Sequence, residues 1–438
     1  WEMADRKHLV IIGGVAAGMS AAAKVRRMNS GIDVTVYERG DYVSYAACGL
    51  PWFICGKIPD HHDLIARPPE HFNKIGIKLH IRHEVTRIET DKKVVRVKNL
   101  DSGRQFTQPY DMLLIATGAR GFRPPVPGTD LEGVFGLRTI EDGQALRRHL
   151  ETQRPRRAMV VGGGYIGLEV LECFAAMKMD MTVIDIAPRL LMTTFDEDMV
   201  VVVDEELEKH RVRLSLADGI KAFEGKNGRL TTVVTEHNRF PADLVVMALG
   251  VRPNVELADE AGVKVGETGA IAIDDHMRTN VPDVYAAGDC AEAFHVVTGK
   301  PSYIPLGSTA NKQGRIAGTN IAGGDATFAG VVGTAVSKVF DLEVARTGLT
   351  EEQARSMGYE VEATKIRAQA MAHYYPGVTP LYVKLVYETA TMRLLGGQII
   401  GENGAAKRID VLATALHQRM SIEDIRKLDL SYAPPFAP

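Results

Sequence analysis

A buried strand, a glycine turn, a helix and a second strand ending in an acid occur twice in this chain, and few folds accommodate that repeat. The first copy spans residues 8–38. His8-Leu9-Val10-Ile11-Ile12 is an apolar run, Gly13-Gly14-Val15-Ala16-Ala17-Gly18 the turn, and Val34-Thr35-Val36-Tyr37-Glu38 the second strand. The second copy spans 158–185, with Ala158-Met159-Val160-Val161, Gly162-Gly163-Gly164-Tyr165-Ile166-Gly167 and Met181-Thr182-Val183-Ile184-Asp185. Continuous apolar strands read as parallel strands covered on both faces. Glycines between strand and helix let backbone amides approach a pyrophosphate at the helix N-terminus. The repeat therefore predicts an α/β protein with two Rossmann-like nucleotide-binding units.

The turns differ. The second has Gly162, Gly164 and Gly167, and Asp185 is placed to accept bonds from a free ribose 2′-hydroxyl and to repel a 2′-phosphate. NADH is the expected donor; Arg189 nearby softens that preference and leaves NADPH as the second choice. The first turn keeps Gly13 and Gly18 but has Val15 in the middle, with Glu38 placed for a ribose. Asp289, closing the apolar strand Val284-Tyr285-Ala286-Ala287-Gly288-Asp289, suits a flavin ribityl chain and points to FAD in this unit. Leu113-Leu114-Ile115-Ala116-Thr117-Gly118 and Val245-Val246-Met247-Ala248-Leu249-Gly250 are further strands ending in glycine turns beside the cofactors.

At 438 residues the chain exceeds one core. Residues 3–120 and 255–324 are read as a discontinuous FAD domain and 121–254 as the NAD(P)H domain, after the linker Phe122-Arg123-Pro124-Pro125-Val126-Pro127-Gly128. Residues 325–438 are read as a C-terminal α+β domain, with a strand at Leu381–Tyr387 and a helix near 406–419. A net charge of −3 gives no reason to expect nucleic acid, and no segment reads as a membrane span or a signal peptide. Trp1-Glu2 reads as an addition before a native start at Met3. Four scattered cysteines fit a reducing, cytoplasmic compartment.

Cys48 stands out among them, in Ser44-Tyr45-Ala46-Ala47-Cys48-Gly49-Leu50-Pro51 just beyond the first nucleotide unit. If 48–55 is helical, seven residues put Cys48 and Cys55 about 10 Å apart, beyond the roughly 7 Å limit for a disulfide. Cys48 is then a single redox thiol at a helix N-terminus, where the dipole favours the thiolate. Cys55, Cys173 and Cys290 are read as small buried hydrophobes. His61-His62 and His80-x-x-His83 lack further clustered ligands, so no metal is expected, and Arg154-Pro155-Arg156-Arg157 reads as a solvated loop.

Together these residues resemble the pyridine nucleotide–disulfide oxidoreductases, in the single-cysteine branch of coenzyme A-disulfide reductases, NADH oxidases and persulfide reductases. His373-Tyr374-Tyr375-Pro376-Gly377, Lys407-Arg408-Ile409-Asp410 and Tyr432-Ala433-Pro434-Pro435 share in the resemblance. It implies that the third domain dimerises two chains and that Tyr374 and Tyr432 reach the partner's Cys48. It also implies coenzyme A contacts at Ser20, Lys24, Arg27, Ser44 and Asn311; Lys24 and Arg27 lie one helical turn apart and can both face phosphates. By the same resemblance Tyr165 covers the flavin when NADH is absent and Glu169 positions the nicotinamide.

The activity implied is reduction of coenzyme A disulfide through Cys48 by FAD and NADH, the substrate supplying the second sulfur. A persulfide or polysulfide reductase and an NADH oxidase are the alternatives, and a non-enzymatic redox-sensing flavoprotein the last of them. Three departures matter. Ala47 replaces an asparagine of some members. Val15, Ala16 and Ala17 stand where peroxidases and water-forming oxidases carry a histidine. The chain stops before any rhodanese domain, and a short tail after Ala433-Pro434-Pro435 is expected to be missing.

Overall fold

The computed structural model describes residues 6–438, so the expected start at Met3 lies outside the described residues. Each repeat builds a five-stranded parallel sheet. The first has the order Val284–Ala286, Met112–Ile115, His8–Ile12, Asp33–Tyr37, Ile77–His80. Its central strand is buried on both faces, with Leu9, Val10 and Ile11 fully inaccessible, as an interior parallel strand requires. Helix α1 (Ala16–Met28) and a later helix that returns to the same unit, Gly307–Ile321, cross at backbone contact. Only glycine permits this: a Cβ on Gly314 would stand 2.3 Å from the Ala17 carbonyl oxygen, and one on Gly318 2.7 Å from that of Ala21.

The second sheet has the order Arg213–Ser215, Asp180–Ile184, Arg157–Val161, Leu244–Met247, Val134–Gly136. The duplication extends further than the sequence motifs. Each unit inserts a three-stranded antiparallel meander just before the strand Met112–Ile115 or its counterpart Leu244–Met247, at His83–Glu89, Val94–Asn99 and Gln105–Pro109, and at Ile220–Lys226, Arg229–Thr235 and Arg239–Pro241. The short strands that follow these two, Ala119–Gly121 and Val251–Pro253, pair with each other, so the chain leaves and re-enters the first unit side by side.

The last domain is an antiparallel sheet in the order Ala335–Val339, Leu342–Gly348, Leu394–Gly401, Pro380–Glu388, Val361–Gln369. Helix Ala405–His417 lies on it, burying Ile409, Leu412 and Leu416. A buried ion cluster fixes this domain to the second unit: Lys384 Nζ lies 3.3 Å from Asp196, 2.9 Å from Asp198 and 2.9 Å from Glu351. Among the described residues no helix is long and apolar enough to cross a membrane.

Residues 48–55 do not form the single helix expected. Ala47–Gly49 is one 3-10 turn, and helix α2 covers only Leu50–Ile54, with Cys55 at its C-cap. Pro51 suits a first helical turn, and Gly56 at φ 77° leaves the helix in the left-handed region. Cys48 thus precedes a five-residue helix rather than heading a long one, and so short a helix has little dipole to offer its thiol.

Candidate active site

The first glycine turn is a cradle built for close approach. Gly13 has φ 106°, and a Cβ there would stand 2.1 Å from the Ala116 carbonyl oxygen; one on Gly18 would stand 1.9 Å from that of Gly13. Val15 needs no such freedom. It is the N-cap of α1 at φ −102° and ψ −123°, with φ outside the left-handed region that favours glycine. The Glu38 carboxylate accepts from the amides of Gly14 and Gly40, both at 2.7 Å, and so spans the turn. A cleft of about 490 Å³ opens beside it, lined by Gly13, Glu38, Thr117, Arg120 and Asn254. These glycines, the acid and the cleft fit the adenosine diphosphate half of FAD.

Across the sheet, Gly288 (φ 85°) donates its amide to Gln313 at 2.8 Å. The Asp289 carboxylate accepts from Arg138 at 2.5 Å. Neither Arg138 nor Gln313 stood out in the sequence, since each meets its partner only through the fold. Gly118 sits at φ 66° in the turn after Thr117, whose hydroxyl donates to Asn254 O at 2.7 Å.

The second turn repeats the geometry. The Asp185 carboxylate accepts from Gly163 N at 2.6 Å and Ala187 N at 2.9 Å. Gly162 has φ 107°, Gly164 is the N-cap of helix α3 (Tyr165–Ala176), and a Cβ on Gly167 would meet the Gly162 oxygen at 2.3 Å. Gly250 closes the neighbouring turn at φ 80°. Arg189 is committed elsewhere, donating to Glu352 at 2.5 Å and to Met192 O at 3.3 Å.

Tyr165 and Glu169 lie one turn apart on α3, with Ile166 exposed between them. Burial pushes the Tyr165 phenol up, and its hydroxyl has no hydrogen-bond partner among the described residues. Burial also pushes the Glu169 carboxyl up, although Ser337 Oγ donates to it at 2.9 Å. Ser337 comes from the third domain and carried no signal in the sequence.

Cys48 is exposed. Its arm is fixed from both sides: Ser44, at φ 51°, donates its amide to Gly14 O at 2.9 Å, and Ala46 N donates to Leu64 O at 2.9 Å. Gly49 packs closely behind the thiol, where a Cβ would stand 2.4 Å from the end of the Leu64 side chain. Ser20 Oγ donates to Asn311 Oδ1 at 2.7 Å, which joins α1 to the helix Gly307–Ile321. Lys24 and Arg27 continue the same spacing along α1.

Tyr374 and Tyr432 meet in the third domain, hydroxyl to hydroxyl at 3.3 Å, and both are 63% exposed. Mutual hydrogen bonding holds the Tyr374 phenol above its usual value. Arg408 clasps both segments by donating to Ala370 O at 2.8 Å and Phe436 O at 2.5 Å. Leu430 and Phe436 are exposed beside them.

Cys173 and Cys290 are buried as expected, whereas the readings of Cys55 and of His61-His62 are corrected. Cys173 is buried, but Cys55 is only partly so and lies against the Cys173 thiol rather than in inert packing. Cys290 is fully buried and donates weakly to the carbonyls of Ile115 and Ala287. His61 and His62 do have a neighbouring acid, Asp60, but it is exposed and caps its own turn through His62 N.

Residues 7–314 match the model of the family described as pyridine nucleotide-disulphide oxidoreductase, and residues 334–438 match that family's dimerisation domain. The chain belongs to this family. It is 43% identical over 434 residues to the NAD(P)H sulfur oxidoreductase (CoA-dependent) of Pyrococcus abyssi, covering 99% of this chain and 96% of that one. It is 30% identical over 431 residues to the coenzyme A disulfide reductase of Staphylococcus aureus, covering 98% and 96%. The solved NAD-dependent persulfide reductase from A. fulgidus superposes with a TM-score of 0.95 at 38% identity, over 98% of this chain and 80% of that one.

Proposed function

We propose that this chain is an FAD- and NADH-dependent reductase that cleaves coenzyme A-linked sulfur–sulfur bonds through Cys48, working as a homodimer in the cytoplasm. The observation that carries the reading is an exposed thiol on an arm anchored to the first glycine turn, with the nearest cysteine in sequence, Cys55, turned toward Cys173. A redox thiol without a protein partner takes its second sulfur from substrate.

FAD, when bound, relays an electron pair between a nicotinamide and a thiol. The Gly13–Gly18 turn, Glu38, Thr117 and Asp289 are the residues that would hold it. Gly162, Gly164, Gly167 and Asp185 would hold the dinucleotide, and Glu169 would orient its nicotinamide beneath Tyr165. Two observations support NADH: Asp185 holds a carboxylate at the second glycine turn, where it would repel a 2′-phosphate, and Arg189 is held by Glu352. Ser20, Lys24, Arg27, Ser44 and Asn311 would take the coenzyme A moiety.

The Cys48 thiolate attacks one sulfur of the bound acceptor, the outer one in a persulfide. A bond from Cys48 to that sulfur forms, the S–S bond breaks, and the departing sulfur leaves as a thiolate that takes a proton. An electron pair from the nicotinamide would then cleave the new bond and free Cys48. Tyr374 and Tyr432 of the facing subunit supply that proton or orient the acceptor. Their pairing makes one phenol a donor to the other, and the exposed Leu430 and Phe436 give the dimer its apolar contact. Disulfide and persulfide acceptors share this first step. Identity favours the sulfane acceptor, at 43% to the CoA-dependent sulfur oxidoreductase against 30% to the disulfide reductase.

The test is anaerobic NADH consumption with coenzyme A disulfide and with coenzyme A persulfide, comparing the native protein with Cys48→Ser. Turnover with either acceptor, lost in the serine variant, is expected. NADH consumption that needs oxygen and survives Cys48→Ser would replace this reading with an oxidase.

A further inference from the structure

The cysteines left unused by this chemistry form a pair. Cys55 ends α2, the short helix that directly follows the Cys48 turn, and Cys173 sits in the third turn of α3, the helix that carries Tyr165 and Glu169. The two helices pack against each other, and Cys55 lies on the apolar cluster that contains Cys173, Phe174 and Val170. The packing of Cys55 on this cluster brings its thiol beside that of Cys173. The residues beside them are also tied: Lys57 Nζ lies 2.6 Å from the Glu172 carboxylate, which is itself 15% exposed. An ion pair two residues beyond one cysteine and one residue before the other holds the helices in this register.

The two thiols are not equivalent. Cys173 is fully buried, whereas Cys55 is partly open to solvent and close to Lys57. The neighbouring Cys173 thiol and the lysine charge hold the Cys55 thiol below its usual value against burial, and the same proximity together with burial pushes Cys173 up. Proximity, one accessible thiol with a cationic neighbour and one resolving thiol behind it are what dithiol oxidation needs.

We infer that Cys55 and Cys173 are a second redox centre, an oxidisable dithiol that joins the two nucleotide units by a disulfide when small disulfides accumulate. The Cys55 thiolate attacks one sulfur of the small disulfide, forming a mixed disulfide and releasing one thiol. Cys173 then loses its proton and attacks the Cys55 sulfur; the mixed disulfide breaks and the second thiol leaves. Two protein thiols are oxidised, one small disulfide is reduced to two thiols, and no further oxidant is needed. The bond pins the segment behind Cys48 to the helix bearing Tyr165 and Glu169. The inference does not depend on Cys48 or on the identity of the physiological acceptor.

The experiment uses FAD-loaded protein, fully reduced and then incubated with excess cystamine without NADH, followed by thiol blocking under denaturing conditions and peptide mass mapping. The expected product is a peptide joining the Cys55 and Cys173 segments, lighter by two hydrogens and lost on reduction, while Cys48 carries a cysteamine adduct. In Cys173→Ser the crosslink should vanish and Cys55 should carry the cysteamine instead. Cys173→Ala repeats this arm if the serine is poorly tolerated in the core. Native protein in which Cys55 is found only free or only as the adduct at saturating cystamine would overturn the inference, whatever Cys48 does.

Discussion

The two nucleotide units are near copies, and the places where they differ show what each is for. Both arrange four corresponding strands in the same order, with the same inserted meander and the same device at the turn, an acid whose carboxylate accepts two backbone amides. The first unit closes over its turn with a second helix at backbone contact and a late strand bearing Asp289. The second has no such return. Its helix α3 instead presents Tyr165 and Glu169 toward the other domains, braced by Ser337. A cofactor held permanently needs enclosure, and one that must exchange each turnover needs an open face. On the proposed division of cofactors, the same fold would serve both by what is packed on it, not by its turn.

The comparison breaks most sharply at the helix-side glycines. Gly18→Ala and Gly167→Ala each drive a Cβ into a carbonyl oxygen, at 1.9 and 2.3 Å, and a clash of that kind costs about 3 kcal/mol or more. Gly18→Ala should yield protein depleted of flavin by its visible absorbance, whereas Gly167→Ala should retain flavin and lose its reduction by NADH. Equal flavin loss in both variants would mean that the units do not divide the cofactors as proposed.

Lys384→Met tests the attachment of the second unit to the third domain. It leaves Asp196, Asp198 and Glu351 facing one another without a cation, with Asp196 only 7% exposed. Removing one member of a buried ion cluster costs roughly 3–5 kcal/mol. Denaturant unfolding should show that loss, and adding Asp198→Asn should recover part of it.

His295 marks the segment that returns to the first unit. Burial pushes its imidazole down to about 4, and its Nδ1 accepts from Val297 N at 3.3 Å. An unfolded imidazole titrates near 6.5, so the unfolded chain binds more protons between these values and stability falls as pH drops from about 6.5 to about 4. That loss should reach up to about 3 kcal/mol, and His295→Gln should flatten it. An unchanged acid limb in the variant would assign the acid sensitivity elsewhere.

The smallest effect separates the two acids. Asp185→Ala removes the carboxylate expected to face a 2′-phosphate and should raise the NADPH-to-NADH ratio of kcat/KM by about tenfold, roughly 1.4 kcal/mol. Glu352→Gln releases Arg189 and should add to the shift. Glu38→Ala should leave the ratio unchanged and weaken flavin retention instead.

The parts of this molecule that follow from short stretches of chain were legible in its sequence. Continuous apolar strands, the glycines that must reach φ near 106° and the acid some twenty residues on act within one βαβ unit, so their pattern survives in linear order. The meanders were not legible, because their strands mix buried, partly buried and exposed positions and register shifts interrupt their alternation. The helix reading of 48–55 failed for a local reason, since Pro51 and Gly56 confine α2 to five residues.

What the sequence by itself determined is therefore the pair of nucleotide units, the family and the singular position of Cys48. Only the tertiary structure decided which distant groups meet: Arg138 on Asp289, Ser337 on Glu169, Lys384 among three carboxylates, and Cys55 against Cys173. A backbone turn is dictated by the steric limits of adjacent residues, whereas a contact between separate domains depends on how whole layers pack and leaves no periodic trace in the chain.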